Sequence, residues 1–275
     1  IFRYVNYFIR PGARHIAAVT ANMDVQNRTK LIAKSQTVEF SSIVGIIKRT
    51  QSAVFGGLYA YSGANTMYRK EALIDVGGFR QDRATEDISI AWDHQLNDWL
   101  SVFAPEIIFF MEVPVTLKML YRHRKRWAKG GTEVWLTNFK KVMLHPFKHI
   151  GRTIIFIDQT LSIVWSIFFC ISVVLFAGLI GHYVYQGNYE QIYITFTFSF
   201  VFICFEMVAG FFQLLASLIV DDRRRKLKYL LFAPLYMLLF WIVNAITIVT
   251  TFIPAVKTIL GYGSGTWKSP ERTKK

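Results

Sequence analysis

The chain has 275 residues, 53% of them hydrophobic and 16% aromatic, yet it carries 32 Lys and Arg against 18 Asp and Glu, a net charge of +14. A soluble domain is about 45–50% apolar and roughly 25% charged, so one uniform environment does not account for both figures. The aromatic content excludes disorder, and two cysteines, Cys170 and Cys204, exclude a disulfide scaffold. Both cysteines lie in apolar runs and are expected to be small buried hydrophobes.

In chain order, Ile1–Ile9 mixes polar and apolar residues as an amphipathic helix does. With no initiator Met, signal peptide or lipidation motif at its start, the sequence is expected to be a piece of something longer. Pro11-Gly12 suggests a turn into a β-like run, Ala17–Thr20. Lys30–Ser52 predicts a long helix, with apolar residues at 31, 32, 38, 40, 43, 44, 46 and 47 and no Pro. Tyr59–Ser62 and Asn65–Tyr68 are expected to be extended around Gly63, and Lys70–Val76 a short helix stopped by Gly77-Gly78. Thr85 stands where an N-cap belongs, and Glu86 and Asp87 fill a first turn in which acids suit the helix dipole. That helix is expected to reach about Trp99. Strands at Ser101–Ala104 and Ile107–Met111 and a helix from Thr116 through Trp127 follow. Strands alternating with helices indicate an α/β layer structure, here without a Gly-rich phosphate loop.

Residues 1–153 hold 22 Lys and Arg and 12 Asp and Glu, a net +10, and the remainder is largely apolar. Thr160–Ile180 is 21 residues without a charge, Ile192–Val220 is 29 residues interrupted only by Glu206, and Tyr229–Ile253 is 25 uncharged residues. Each reaches the roughly 20 residues a helix needs to cross a bilayer. The expected organisation is a cytoplasmic domain over 1–153, three transmembrane spans over 154–253 and a basic tail over 254–275. Gly181–Gln191 lacks Lys and Arg and should be an external linker, whereas Asp221–Lys228 is basic and should be internal. Three crossings then place the tail outside, against its own charge from Lys257, Lys268, Arg272, Lys274 and Lys275. The alternative is that one run does not cross, with Pro234 as the candidate break. Glu206 either lines a path or is paired or protonated against a neighbouring helix, and the second is expected.

Two constellations can carry chemistry. Thr85-Glu86-Asp87 is a helix start by composition; a carboxylate there can equally take a proton from a hydroxyl as general base. His123-Arg124-Lys125-Arg126-Trp127 reads as an interfacial belt of snorkelling cations and an aromatic anchor, or as part of a site. Nucleic-acid binding is disfavoured, because these cations adjoin apolar spans rather than forming a soluble face.

Together, with their spacing, the two motifs resemble the processive family-2 glycosyltransferases, the group of cellulose, chitin and hyaluronan synthases. Within it the likeness is strongest to the bacterial poly-β-1,6-N-acetylglucosamine synthases. The likeness runs through Ala18-Val19-Thr20 with Asn22, Glu39-Phe40-Ser41-Ser42-Ile43-Val44-Gly45 and Ile47-Lys48-Arg49-Thr50-Gln51. It continues through Ser62-Gly63, Tyr68-Arg69-Lys70, Val76-Gly77, Thr85-Glu86-Asp87-Ile88 and Trp92, then Arg126-Trp127-Ala128, Gly130-Gly131, Glu133-Val134 and the tail Thr266-Trp267-Lys268-Ser269-Pro270.

The resemblance implies the C-terminal part of a GT-A glycosyltransferase domain followed by a membrane helix bundle. It implies an inverting single displacement of N-acetylglucosamine from UDP-N-acetylglucosamine onto a growing polysaccharide at a membrane lipid surface, with a small membrane accessory subunit as a further partner. Asp87 would be the base, oriented by Glu86 and Thr85. Arg126 would sit by the donor pyrophosphate, Trp127 would face the acceptor sugar, and Ser62 and Gly63 would lie near the acceptor. His123 stands where the family has Gln, which changes that contact. A Mg²⁺ or Mn²⁺ ion is implied for the parent protein, with its acidic ligands upstream of Val19; the first acid of this chain is Asp24. On that reading the piece alone is expected to lack transferase activity. Hyaluronan, chitin or cellulose synthesis, or a non-catalytic membrane remnant, are the alternatives.

Overall fold

Ten consecutive residues, Ile16–Val25, form the central strand of the protein (β1), and eight of them are buried. Its first residues, Ile16–Val19, are apolar, and from Thr20 the strand alternates, with Thr20, Asn22 and Asp24 as buried polar residues on one face. The computed structural model describes residues 1–221, 225–263 and 265; the tail motif Thr266–Pro270 lies outside them. β1 pairs antiparallel with β2 (Thr66–Tyr68) and parallel with β3 (Leu100–Met111), giving a three-stranded sheet of order β2-β1-β3. Around it lie helices α1 (Phe2–Ile9), α2 (Leu31–Phe40), α3 (Arg49–Phe55), α4 (Lys70–Asp75), α5 (Glu86–Leu96) and α6 (Leu117–Met143). The long apolar helices α7 (Ile150–Gln186), α8 (Tyr189–Val220) and α9 (Ala233–Ile259) follow.

The α/β reading holds, with several differences. The helix expected over Lys30–Ser52 is one rod through Phe55, in which α2 and α3 are joined by a π-helical stretch, Ser41–Lys48. Tyr59–Ser62 forms no strand, and only Thr66–Tyr68 of the second extended segment pairs. The two strands expected around Pro105 are one strand, β3. Its register shifts opposite Ala21 and Asn22, so the sheet absorbs a residue that cannot donate instead of ending there. The linker expected over Gly181–Gln191 is mostly helix. α7 continues to Gln186 and turns into α8 through Gly187, at φ 69, and Asn188, whose side chain accepts from the Gln191 amide. The boundary expected at residue 153 therefore falls inside α7, and that at 253 inside α9.

Three helical stretches, Ile150–Gln186, Tyr189–Val220 and Leu227–Ile259, are long and apolar enough to cross a membrane. They differ in what covers them. Buried side chains of α7 end at Ser166 and those of α8 begin at Leu214, so the hairpin between is open to its surroundings. Along α9, buried residues recur from Ala233 to Thr258, one face lying on protein throughout. α9 runs beside α6: Phe240 meets Arg124, and Phe252 meets Trp135. Both flanks of α9 touch the α/β part, Lys226 at Asp24 and Gly265 against the Asp82–Arg83 backbone. Cys170 and Cys204 are half-buried on the open hairpin rather than core residues. Glu206 is exposed on that hairpin rather than packed against a neighbouring helix.

The connection between α8 and α9 is locked by buried charge. Lys226 Nζ stands 2.8 Å from Asp221 Oδ2 and 3.2 Å from Asp24 Oδ1, and Asn22 donates to Asp221 Oδ1 at 3.0 Å. Asp221 packs so closely on Gly45 that a Cβ there would fall 2.7 Å from its Cγ. Removing one partner from a buried ion pair is costly because the other charge stays behind. Lys226→Met should therefore lower stability by roughly 3–5 kcal/mol, seen as an earlier unfolding midpoint in detergent, with part of the loss recovered by adding Asp221→Asn.

Candidate active site

The acidic motif sits where α5 begins against α6. Thr85 occupies the N-cap position in extended conformation (φ −136, ψ 105), but its hydroxyl caps nothing. It is instead buried against α6, where a Cβ on Gly130 would lie 2.7 Å from the Thr85 Cβ; only a glycine leaves this room. Three residues on, the fully buried Glu133 accepts the Ala84 amide at 2.9 Å and pairs with Lys129 at 3.4 Å. α6 thereby fixes the chain just ahead of Glu86 and Asp87.

Asp87 points towards the Ser62–Asn65 turn. One carboxylate oxygen accepts the Gly63 amide at 3.4 Å and the other the Ile88 amide at 3.0 Å. Gly63 is close enough that a Cβ there would lie 3.4 Å from Glu86 Oε1. The turn is held by Thr66, whose hydroxyl donates to the Ser62 carbonyl at 2.8 Å, and by the Asn65 amide donating to the same carbonyl at 3.0 Å. Burial pushes the Asp87 carboxyl above the usual carboxylate range, and Glu86 adds to the rise. Lys48, Arg126 and the Gly63 amide oppose it.

Arg126 and Trp127 project from α6, the helix that anchors the acidic motif. Arg126 acts on Asp87 as a nearby positive charge. Trp127 packs on the core cluster that contains Tyr61, with the Arg124 guanidinium 4.3 Å from its ring centre. Arg124 is in turn fixed by a buried ion pair, Nη2 to Glu39 Oε2 at 2.6 Å, which joins α6 to α2. His123 tilts against Trp127 at 4.7 Å. Burial, then Arg124 and Arg126, bring its pKa down to about 4, and its buried Nδ1 has no hydrogen-bond partner among the described residues.

The structure thus gathers Ser62, Gly63, Thr85, Glu86, Asp87 and Arg126, with Trp127 and His123 on the same helix as Arg126. Three residues that hold this arrangement were not individual candidates: Lys48, and the pair Glu39 and Arg124. Lys48 follows Val44 by four residues, so its place on the buried stripe of the helix was the available signal. As to a metal, no group of three His, Cys, Asp or Glu among the described residues could hold one. The residues present do not fit the ion that the resemblance implies.

A carboxyl of raised pKa beside a guanidinium can exchange a proton next to a bound anion, which is the equipment of a group-transfer enzyme. The chain belongs to the glycosyl transferase family group 2, which it matches over residues 1–260. It is 34% identical over 261 residues to poly-β-1,6-N-acetyl-D-glucosamine synthase of Staphylococcus epidermidis, covering 94% of this chain and 61% of that protein. The synthase of the same name from Staphylococcus aureus strain COL is 32% identical over 271 residues, 97% of this chain and 64% of that protein. The chain thus spans about three fifths of the length of the curated relatives it matches.

Two histidines should titrate far from the ordinary value of 6.5. His123 and the buried His94 both have pKa values lowered to about 4, chiefly by burial. Between pH 6.5 and about 4 the unfolded chain binds protons that the folded chain refuses, so stability falls as pH drops through this window. NMR of ring-labelled protein should place both midpoints near pH 4, and a midpoint near 6.5 for His123 would mean the ring is solvated.

Proposed function

We propose that the enzyme containing this chain is a membrane-bound, inverting, processive glycosyltransferase. It moves N-acetylglucosamine from UDP-N-acetylglucosamine to a growing β-1,6-linked polysaccharide. The sugar and the linkage come from the names of the two staphylococcal relatives. The observation that carries the chemistry is the Asp87 carboxyl, raised in pKa, bound by the Gly63 amide and facing Arg126.

In the proposed step the acceptor hydroxyl gives its proton to the Asp87 carboxylate as its oxygen bonds to the anomeric carbon. The bond from that carbon to the UDP oxygen breaks on the opposite side, and UDP departs with the electron pair. Attack opposite the leaving group inverts the centre. Arg126 pairs with the phosphate oxygens as their charge grows, a charge-assisted contact stronger in the transition state than before it. Glu86 and Thr85 set the direction of Asp87, and Trp127 offers its face to the terminal acceptor sugar. Ser62 and Gly63 form the acceptor-side turn. A divalent ion, where bound, would offset pyrophosphate charge; its ligands are proposed to lie outside this chain.

Asp87→Asn in the full-length enzyme should cut polymer formation by roughly 10²–10⁴-fold, the usual weight of a general base, with UDP-sugar binding retained. Wild-type turnover by that variant would remove Asp87 from the role. β-1,6 linkages in the product separate this reading from hyaluronan, chitin or cellulose synthesis.

For the membrane we propose that residues 1–153 face the cytoplasm, α7 and α8 cross as a hairpin, and α9 lies along the interface against α6 without crossing. The support is the covered face of α9 and the contact of both its flanks with the α/β part. This arrangement leaves the basic tail inside, in accord with the Lys and Arg bias that three crossings violate. After replacement of Cys170 and Cys204, a cysteine at Gly187 should react with an impermeant maleimide added to intact cells, and one at Gly261 only after lysis. Labelling of both from outside would restore a third crossing.

A further inference from the structure

Lys48 ends the π-helical stretch, and it is buried, with 7% of its surface exposed. Sequestering an ammonium is expensive unless something compensates. Two other buried cations of this protein are compensated by close ion pairs, Lys226 by Asp221 and Asp24, and Arg124 by Glu39. Lys48 is held differently. Its Nζ donates to Ser62 Oγ at 2.8 Å and to the Tyr61 carbonyl at 3.3 Å, while the described ion pairs leave its charge to act on Asp87 from beyond contact.

Those two hydrogen bonds go to the turn that carries Gly63, and the Gly63 amide binds Asp87 Oδ2. We propose that Lys48 is a positioning residue for glycosyl transfer: it holds the Ser62–Gly63 turn over Asp87 and keeps the Asp87 carboxylate ionised. The inference rests on the reading of Asp87 as the base.

The charge balance around Asp87 gives the proposal its direction. Lys48 from the π-helical stretch and Arg126 from α6 favour the carboxylate, whereas burial and Glu86 on the same helix favour the acid. Tyr59 and Tyr68 complete the titratable surroundings, and the Asp87 charge raises both of their phenols. Of the groups that favour ionisation, Lys48 has the largest effect. Its own pKa is lowered to about 8 by burial, so it is a cation through the neutral and acidic range where Asp87 must lose its proton. Without that cation, Asp87 stays protonated to higher pH and the base is lost from the acidic side first.

The test is the pH dependence of UDP release by the full-length enzyme in native membranes, with UDP-N-acetylglucosamine as the probe. Lys48→Met and Lys48→Gln should move the acidic limb upward by about one unit or more. They should lower kcat by about tenfold on the acid side of the limb, with the donor KM little changed. Lys48→Arg, which keeps the charge, should hold the limb within about half a unit. Lys48→Gln retains a donor for Ser62 and serves where the Met variant does not fold. An acidic limb unmoved in Lys48→Gln overturns the proposal. Asp87→Asn, measured alongside, separates the two readings. If it is inactive while the limb stays put, only the role of Lys48 fails; if it turns over normally, both fail.

Discussion

α6 lies on the first turn of α5 because position 130 has no side chain. Any Cβ at Gly130 would collide with Thr85, and the buried Glu133, three residues on, takes the Ala84 amide. This close approach fixes the proposed catalytic carboxyl, Asp87, against a helix that also carries Arg126, Trp127 and His123. A proton acceptor, a cation and an aromatic face thus share one rigid reference frame. Sites held on helices in this way are more exact than sites on loops. The Ser62–Asn65 turn is loop, and Lys48 and Thr66 pin it by hydrogen bonds to Ser62.

The same helix ties the site to the apolar part. Arg124 reaches Glu39 on α2, stacks on Trp127 and touches Phe240 on α9. Trp92 on α5 meets Phe156 on α7 edge-on at 5.3 Å, and Arg152 donates to the Gln95 carbonyl at 3.0 Å. Buried ion pairs of this sort contribute little net stability, since desolvation offsets much of the attraction. What they provide is register: an ion pair that has only one satisfactory partner sets how α2, α6 and α9 meet.

Much of this was legible in the sequence. The strong signals were local: Gly77-Gly78 ending α4, Thr116 capping α6 at Met119, and three long uncharged runs. The acidic and Arg-Trp motifs were found by spacing, and the structure brings them together. What escaped depends on tertiary contact. β3 continues across Pro105 because β1 pairs on both sides of it, which no local rule anticipates. The π-helical stretch is set where the rod must accept Asp221 at Gly45 and aim Lys48 at Ser62. Thr85 looked like a cap by composition, yet its place is decided by packing on Gly130.

The apolar run of α9 shows why length and composition underdetermine a membrane span. A helix buried against protein on one face and apolar surroundings on the other has no polar side to display, just as a crossing helix has none. The distinction lies at the ends. Lys226 is held at 3.2 Å from Asp24, at the close of the central strand, and Gly265 rests on the backbone three residues before Glu86. In the arrangement proposed above, a helix with both flanks on the α/β part returns the chain to the side it came from. Gly265, beyond the end of α9, therefore meets the stretch leading into the acidic motif, whose other side α6 holds at Thr85 and Ala84.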